Sequence, residues 1–91
     1  MHPPAPFPPG SGPVASPGEA AAALVRHLTA RGITGIYTAS TYKFAVISVT
    51  AGLTVWTNGQ HLWCNRHGQH HTWPASDMQA TAAAIAALAR P

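Results

Sequence analysis

Charge is scarce in this sequence. Charged residues make up 8% of the 91-residue chain, against about 25% in a typical soluble domain. The five Lys and Arg residues are spread along the chain, so the net charge of +3 forms no basic run. A nucleic-acid-binding surface normally gathers such residues in a patch, so the charge pattern permits that function without indicating it. A surface so poor in charge tends to self-associate, which favours a homodimer or a complex with another protein.

Cysteine is almost absent as well. Cys64 is the single cysteine, which excludes a disulfide within the chain. A lone free cysteine is typical of a reducing compartment. The first 17 residues show no signal-peptide pattern, and no apolar run approaches the ~18 residues of a membrane span. We therefore expect a cytoplasmic protein without a membrane partner.

Carboxylates are too few to offer a pair for a two-carboxylate mechanism. Glu19 and Asp77 are the only two, and each falls in the first turn of a predicted helix, where capping explains it. The chain has no phosphate-binding glycine loop and no serine-hydrolase motif. Cys64 near a histidine could act as a nucleophile, but a free cysteine is more often a small buried apolar residue. We expect no catalytic residue and no enzyme.

Proline is abundant but concentrated at one end. Seven of the nine prolines fall within residues 1–17. This composition predicts a disordered leader of polyproline II character over residues 1–15, and a single small α+β domain over residues 16–90. The PxxP spacings at Pro3/Pro6 and Pro6/Pro9 suit a ligand of an SH3-like domain. Because such spacings arise in any proline-rich segment, a plain solvated tail is the favoured interpretation.

Two helices flank the middle of the chain. Ser16, Pro17 and Glu19 predict a capping box at the start of the first helix, and Gly32 suits its end. Its apolar stripe is Ala21, Leu24, Val25 and Leu28. Ser76 and Gln79 predict a second capping box after Pro74. The stripe of the second helix is Met78, Ala82, Ile85 and Leu88 or Ala89.

Between the helices the pattern changes to the period of two that is typical of strands. The predicted strands include Ile33–Thr38, Tyr42–Thr50 and Gln69–Trp73. The turn Thr50-Ala51-Gly52 predicts the pairs Ile47–Val55 and Val49–Leu53. The turn Asn58-Gly59 predicts the pairs Thr57–Gln60, Trp56–His61, Val55–Leu62, Thr54–Trp63 and Leu53–Cys64. Both turns agree on one aliphatic surface, the core face: Ala45, Ile47, Val49, Leu53, Val55, Leu62 and Cys64.

These elements predict an α+β fold. A helix is followed by a four- or five-stranded antiparallel meander and a second helix. Both helices should cover one face of the sheet, the core face.

The opposite surface is unusual, and we call it the aromatic face. By the predicted pairing it carries Phe44, Val46, Ser48, Thr54, Trp56, His61 and Trp63, joined by His70 and Thr72 if Cys64 pairs with Gln69. Exposed aromatic patches usually mark interaction sites. We expect Phe44, Val46, Trp56, His61, Trp63 and His70 to bind a partner. Symmetric dimers are the commonest oligomers, so a second copy or another protein is the first hypothesis.

Two alternatives share this surface. Aromatic side chains on a sheet can stack the bases of single-stranded nucleic acid, although few cations accompany them here. The spacing His61-x2-Cys64-x2-His67-x2-His70-His71 offers zinc ligands. His61 and Cys64 should point to opposite faces, which leaves His61, His67 and His70 as the candidate metal site.

One stretch carries a resemblance. The segments Gly35-Ile36-Tyr37-Thr38-Ala39, Ala45-Val46-Ile47-Ser48-Val49 and Gly52-Leu53-Thr54-Val55-Trp56, with Trp73-Pro74-Ala75 before an alanine-rich helix, stand within residues 32–89. They resemble small uncharacterised proteins of high-GC Gram-positive, actinobacterial type. The resemblance implies a small accessory protein and brings no activity or catalytic residue.

Overall fold

The structure, a computed structural model, describes residues 16–50 and 52–90 of the chain. Helix α1 (Pro17–Ala30) precedes the strands, and a short 3-10 helix (Ala75–Asp77) leads into helix α2 (Met78–Ala89). The strands are β1 (Tyr37–Ser40), β2 (Ala45–Thr50), β3 (Leu53–Thr57), β4 (His61–Arg66) and β5 (Gln69–Pro74). They form one antiparallel sheet in the order β1-β2-β3-β4-β5. The predicted α+β meander is confirmed with five strands, while the predicted leader lies outside the described residues.

Helix α1 begins as its sequence predicts. The Glu19 amide donates to Ser16 Oγ at 3.1 Å, and the Ser16 amide donates to Glu19 Oε1 at 2.9 Å. These two bonds form the reciprocal capping box and satisfy backbone donors that the helix itself leaves free. The Ser16 amide, and after it the Ser16 side chain, hold the pKa of the Glu19 carboxyl below its usual range, because both favour the carboxylate.

Helix α2 begins one residue later than predicted. Asp77, not Ser76, is the N-cap, and its Oδ1 accepts from the Ala80 amide at 3.2 Å. The Ala75 amide donates to the Gln60 carbonyl at 2.8 Å, which fixes the chain at the start of the 3-10 turn. That turn includes Ser76, so the helix and its cap are displaced toward the C-terminus.

The β3–β4 turn corrects the predicted pairing. Thr57 pairs with Leu62 rather than Gln60, so the turn is two residues longer than a two-residue Asn-Gly hairpin. Side chains explain the longer turn. Asn58 Oδ1 accepts from the amides of Gln60 and His61 at 2.9 Å each, and Thr57 Oγ1 donates to the His61 carbonyl at 2.7 Å. A shift of two residues preserves which face each side chain occupies.

The other turns also differ in detail. Ile47 pairs with Val55 as predicted, but Thr50 rather than Val49 pairs with Leu53, because the strand is irregular between Ser48 and Thr50. In the β4–β5 hairpin Cys64 pairs with His71 instead of Gln69, again a shift of two.

The predicted strand Ile33–Thr38 is displaced to β1, and β2 starts at Ala45 rather than Tyr42. A turn around Thr41 separates them. Thr41 Oγ1 accepts from the amides of Lys43 and Phe44, at 3.3 Å and 3.2 Å. This local bonding replaces strand pairing over the first residues of the predicted second strand.

The core is a single hydrophobic cluster of buried residues from α1, the sheet and α2. Its members are Ala21, Leu24 and Leu28 of α1, the whole predicted core face, and Ala82, Ile85 and Ala86 of α2. The predicted core face is therefore confirmed. The placement of both helices over this one face stays a prediction, which the shared cluster supports.

Candidate functional site

The aromatic face contains a row of neighbouring side chains that crosses every strand. The pairs are Ala39–Val46, Val46–Trp56, Trp56–Trp63 and Trp63–Thr72. Neighbours in such a row lie about 4.5–5.5 Å apart at their Cβ atoms. The two tryptophans are thus direct cross-strand neighbours at the centre of the sheet, because the longer β3–β4 turn brings Trp63, and not His61, opposite Trp56.

Several large side chains on this surface stay in solvent. Trp56 is 44% exposed and Phe44 is 47% exposed, whereas Val46 and Trp63 are half-buried. His61 and His70 are exposed as well. The six predicted partner-binding residues therefore lie on the accessible side of the sheet, and their role in binding stays a prediction.

An apolar depression lies on the β1 side of the tryptophan pair. It has a volume of about 280 Å3 and is lined by Ala39, Ser40, Thr41, Phe44, Val46 and Trp56. Phe44 and Trp56 supply its aromatic surface, and Thr41 of the β1–β2 turn belongs to its lining. No charged side chain belongs to this lining, so contacts made there would be mainly apolar.

A more polar depression lies on the β5 side. It has a volume of about 390 Å3 and is lined by Asn58, His61, Trp63, His70 and Thr72. The His70 ring is held in place: Nδ1 lies 3.1 Å from Asn65 Oδ1, and Nε2 lies 3.1 Å from Thr72 Oγ1. Since an amide oxygen only accepts, Nδ1 is the donor to Asn65, and Nε2 lies within hydrogen-bond distance of the threonine hydroxyl.

Only two of the three predicted metal ligands lie in the same depression. His61 and His70 line the polar depression together, but His67 lies on the β4–β5 turn with a φ of 53° and is not part of that lining. Both His70 nitrogens already have partners. Across residues 16–50 and 52–90, no three His, Cys, Asp or Glu side chains are grouped to hold a metal ion. The zinc site stays a prediction that native mass spectrometry of untagged protein tests.

Lysine and arginine do not line either depression of the aromatic face within residues 16–50 and 52–90. Lys43 lies in the β1–β2 turn, with its Nζ 5.6 Å from the centroid of the Tyr42 ring. Arg66 instead donates to the Gly52 carbonyl at 3.1 Å, at the β2–β3 turn. Arg26 and Arg31 belong to α1 and its C-cap. In the part of the chain that the structure describes, the face thus lacks the rows of cations that track a nucleic-acid backbone.

The thiol and the two carboxylates are engaged away from the aromatic face. Cys64 is fully buried on the core face, and its burial raises the pKa of the thiol, opposed by the charge of Arg66. Glu19 and Asp77 cap the two helices. None of the three lines either depression.

Sequence reasoning missed part of this surface. Ala39, Ser40 and Thr41 line the apolar depression, and Asn65 positions His70, yet none was singled out. Tyr37 was also missed, although it is 78% exposed and lies on the same face, paired with Ser48. The alternation of Tyr37 with Ala39 could have predicted its place on this face, but only if the limits of β1 had been predicted correctly.

No helix within residues 16–50 and 52–90 is long and apolar enough to cross a membrane. Comparisons of the chain with protein-family models, with curated proteins and with solved structures found no match.

Proposed function

We propose that this chain is a small, non-catalytic cytoplasmic binding module that acts through the aromatic face, by homodimerisation or by binding another protein. The observation that carries the proposal is the row at the centre of the sheet. Two neighbouring tryptophans and Phe44 lie in a surface that the helices' core residues do not cover. Large aromatic side chains contribute most of the binding energy in many protein interfaces.

The low charge of the chain supports self-association in particular. Of the residues that line the two depressions, none is a Lys, Arg, Asp or Glu. Two copies could therefore bring these surfaces together without burying like charges, which would cost free energy. The polar groups of His61, His70 and Thr72 would lie beside the aromatic centre, as polar residues do around an interface core.

The structural roles of Glu19, Asp77 and Cys64 support the proposal that the chain is not catalytic. The two carboxylates have capping roles, and the thiol belongs to the core. A catalytic cysteine normally has a lowered pKa, whereas the pKa of Cys64 is raised.

The experiment is a mass measurement by light scattering on the wild type and on the double variant Trp56→Ala, Trp63→Ala. We expect a dimer for the wild type and a monomer for the double variant, because the substitutions remove the aromatic centre. A second double variant, Trp56→Phe with Trp63→Phe, keeps apolar rings and should stay dimeric. Far-UV circular dichroism checks that all three chains are folded. A wild-type monomer, or an unchanged dimer mass in the alanine variant, contradicts self-association through this face.

A further inference from the structure

The apolar depression lies close to the point where the leader joins the fold. The described chain begins at Ser16, directly before α1. In the first turn of α1, a methyl group at Gly18 would lie 3.5 Å from Ser40 Oγ. Ser40 ends β1 and lines the apolar depression with Phe44 and Trp56. Ser40 pairs with the core-face residue Ala45, so Gly18 meets it on the core side of the sheet, and Ser16 lies near the edge strand β1 on the opposite side from the depression.

The distances suit an intramolecular contact. Trp56 lies on β3, two strand spacings from β1, which is about 10 Å. Residues 10–15 connect the proline run to Ser16 and include Gly10-Ser11-Gly12, a composition typical of flexible linkers. Six extended residues reach about 20 Å. From Ser16 the linker must first pass around the edge strand β1, and the run Pro3–Pro9 then crosses the depression from β1 to Trp56.

The chemistry of the two surfaces also matches. Residues 1–15 contain no Lys, Arg, Asp or Glu and include six prolines and Phe7. Proline-rich segments in polyproline II conformation bind aromatic-lined grooves, where the stiff helix loses little conformational entropy on binding. The depression offers Phe44 and Trp56 with no charged lining residue.

We propose that the proline run of this chain binds its own apolar depression, across Phe44 and Trp56. This inference rests on the proposed function, because it assigns a competing intramolecular ligand to the same surface. While the leader covers Trp56, a second copy cannot use that side of the aromatic face. The leader therefore weakens dimerisation, and replacing its prolines strengthens it.

The test uses the full chain with a nitroxide spin label attached through Ala5→Cys, a position between prolines. Cys64 is fully buried, so the label reacts at position 5, and mass spectrometry verifies a single adduct. The readout is the indole N–H signals of the tryptophans in 15N-labelled protein. We expect the Trp56 signal to lose most of its intensity and the Trp73 signal to keep it. Trp73 stacks on His71 and packs against the core cluster, away from the depression.

The matched control carries the same label with Pro6→Ala, Pro8→Ala and Pro9→Ala, which leave the tether length unchanged. The Trp56 signal should recover there. Equal loss in both chains, loss at neither, or equal loss at Trp73 overturns the proposal. The loss at Trp56 should also persist when the labelled protein is diluted with excess unlabelled wild type; its disappearance shows a contact between copies and overturns the intramolecular assignment.

A second readout separates this proposal from the proposed function. The proline-to-alanine chain without the label should dimerise at lower concentration than the wild type in light scattering. Dimers in both chains at equal concentrations, with no label contact, overturn the leader contact and leave the binding face standing. Monomers in both chains at every concentration overturn self-association, whatever the label shows.

Discussion

The two faces of the sheet are built from the same strands and differ in nearly everything else. On the core face, Ile47, Val55 and Leu62 are fully buried. One residue along, on the aromatic face, Val46 and Trp63 are half-buried and Trp56 is 44% exposed. Both faces are therefore apolar at their centres, but only one is fully covered within the described chain.

This difference separates stability from function. Residues on a covered face contribute by packing, and the free energy of folding depends on them. Large apolar residues on an accessible face gain little from folding, and a contiguous group of them usually marks an interaction site. The pairing register places two tryptophans side by side on the second kind of face. Substitutions on the core face should accordingly change mainly the free energy of unfolding, and substitutions on the aromatic face should change mainly binding.

The largest expected difference in stability comes from neighbouring residues on β2. Ile47→Ala should lower the free energy of unfolding by about 2–5 kcal/mol, because it leaves a cavity in the core cluster. Val46→Ala should cost a fraction of that. Urea denaturation measures both, and Ile47→Val, at about 0.5–1.5 kcal/mol, serves if the alanine variant does not fold. Similar losses at the two positions would remove the distinction between the faces.

A second comparison uses two threonines of β3 on opposite faces. Thr57 is buried, and its hydroxyl donates to the His61 carbonyl and accepts from the Gly59 amide. Thr57→Val should cost about 1–3 kcal/mol, because both backbone groups lose a partner. Thr54→Val, on the aromatic face, should change stability little. Thermal unfolding followed by circular dichroism measures both, and a neutral Thr57→Val would show that the longer turn does not depend on this hydroxyl.

The helix caps give a third comparison, between Ser16 of α1 and Ser76 before α2. Ser16→Ala should destabilise the protein by about 1 kcal/mol, because the Glu19 amide loses its acceptor. Ser76→Ala is the matched control and should be close to neutral, since Asp77 and not Ser76 caps α2. The reverse ranking in urea denaturation would contradict the corrected start of α2.

The smallest effect is a pH dependence at the same cap. The pKa of Glu19 is lowered by its bonds to Ser16, so its stabilising effect is present above the ordinary glutamate pKa. The effect is lost as the pH falls through the lowered folded-state pKa. Wild type should therefore exceed Glu19→Gln in stability at neutral pH, and the gap should close in acid. A gap that is constant with pH would exclude an electrostatic contribution from this carboxylate.

The sequence predicted the two faces better than it predicted the register between strands. Face membership depends only on alternation along each strand, so Ile47 and Trp56 were placed correctly. Register depends on turn geometry, and the Asn58 and Thr57 side chains lengthen a turn that Asn-Gly alone suggests is shorter. Because the register shifted by two residues, an even number, each side chain stayed on its predicted face.

The candidate site was predictable only in part for the same reason. Trp56 and Trp63 were expected on one face, but their direct pairing follows from the corrected register. The apolar depression depends on where β1 lies, and the Thr41 turn that sets its limits involves local side-chain bonds. Alternation along the chain carries no information about such bonds.

The most direct test of the difference between the faces follows the indole N–H signals of the tryptophans as the protein concentration is raised. In wild-type protein, the Trp56 and Trp63 signals should shift together with concentration as copies associate. The Trp73 signal, from the half-buried side of β5 that packs against the core, should stay in place. Signals that do not move at any concentration, or a Trp73 shift as large as that of Trp56, would contradict the aromatic face as the surface through which this protein binds.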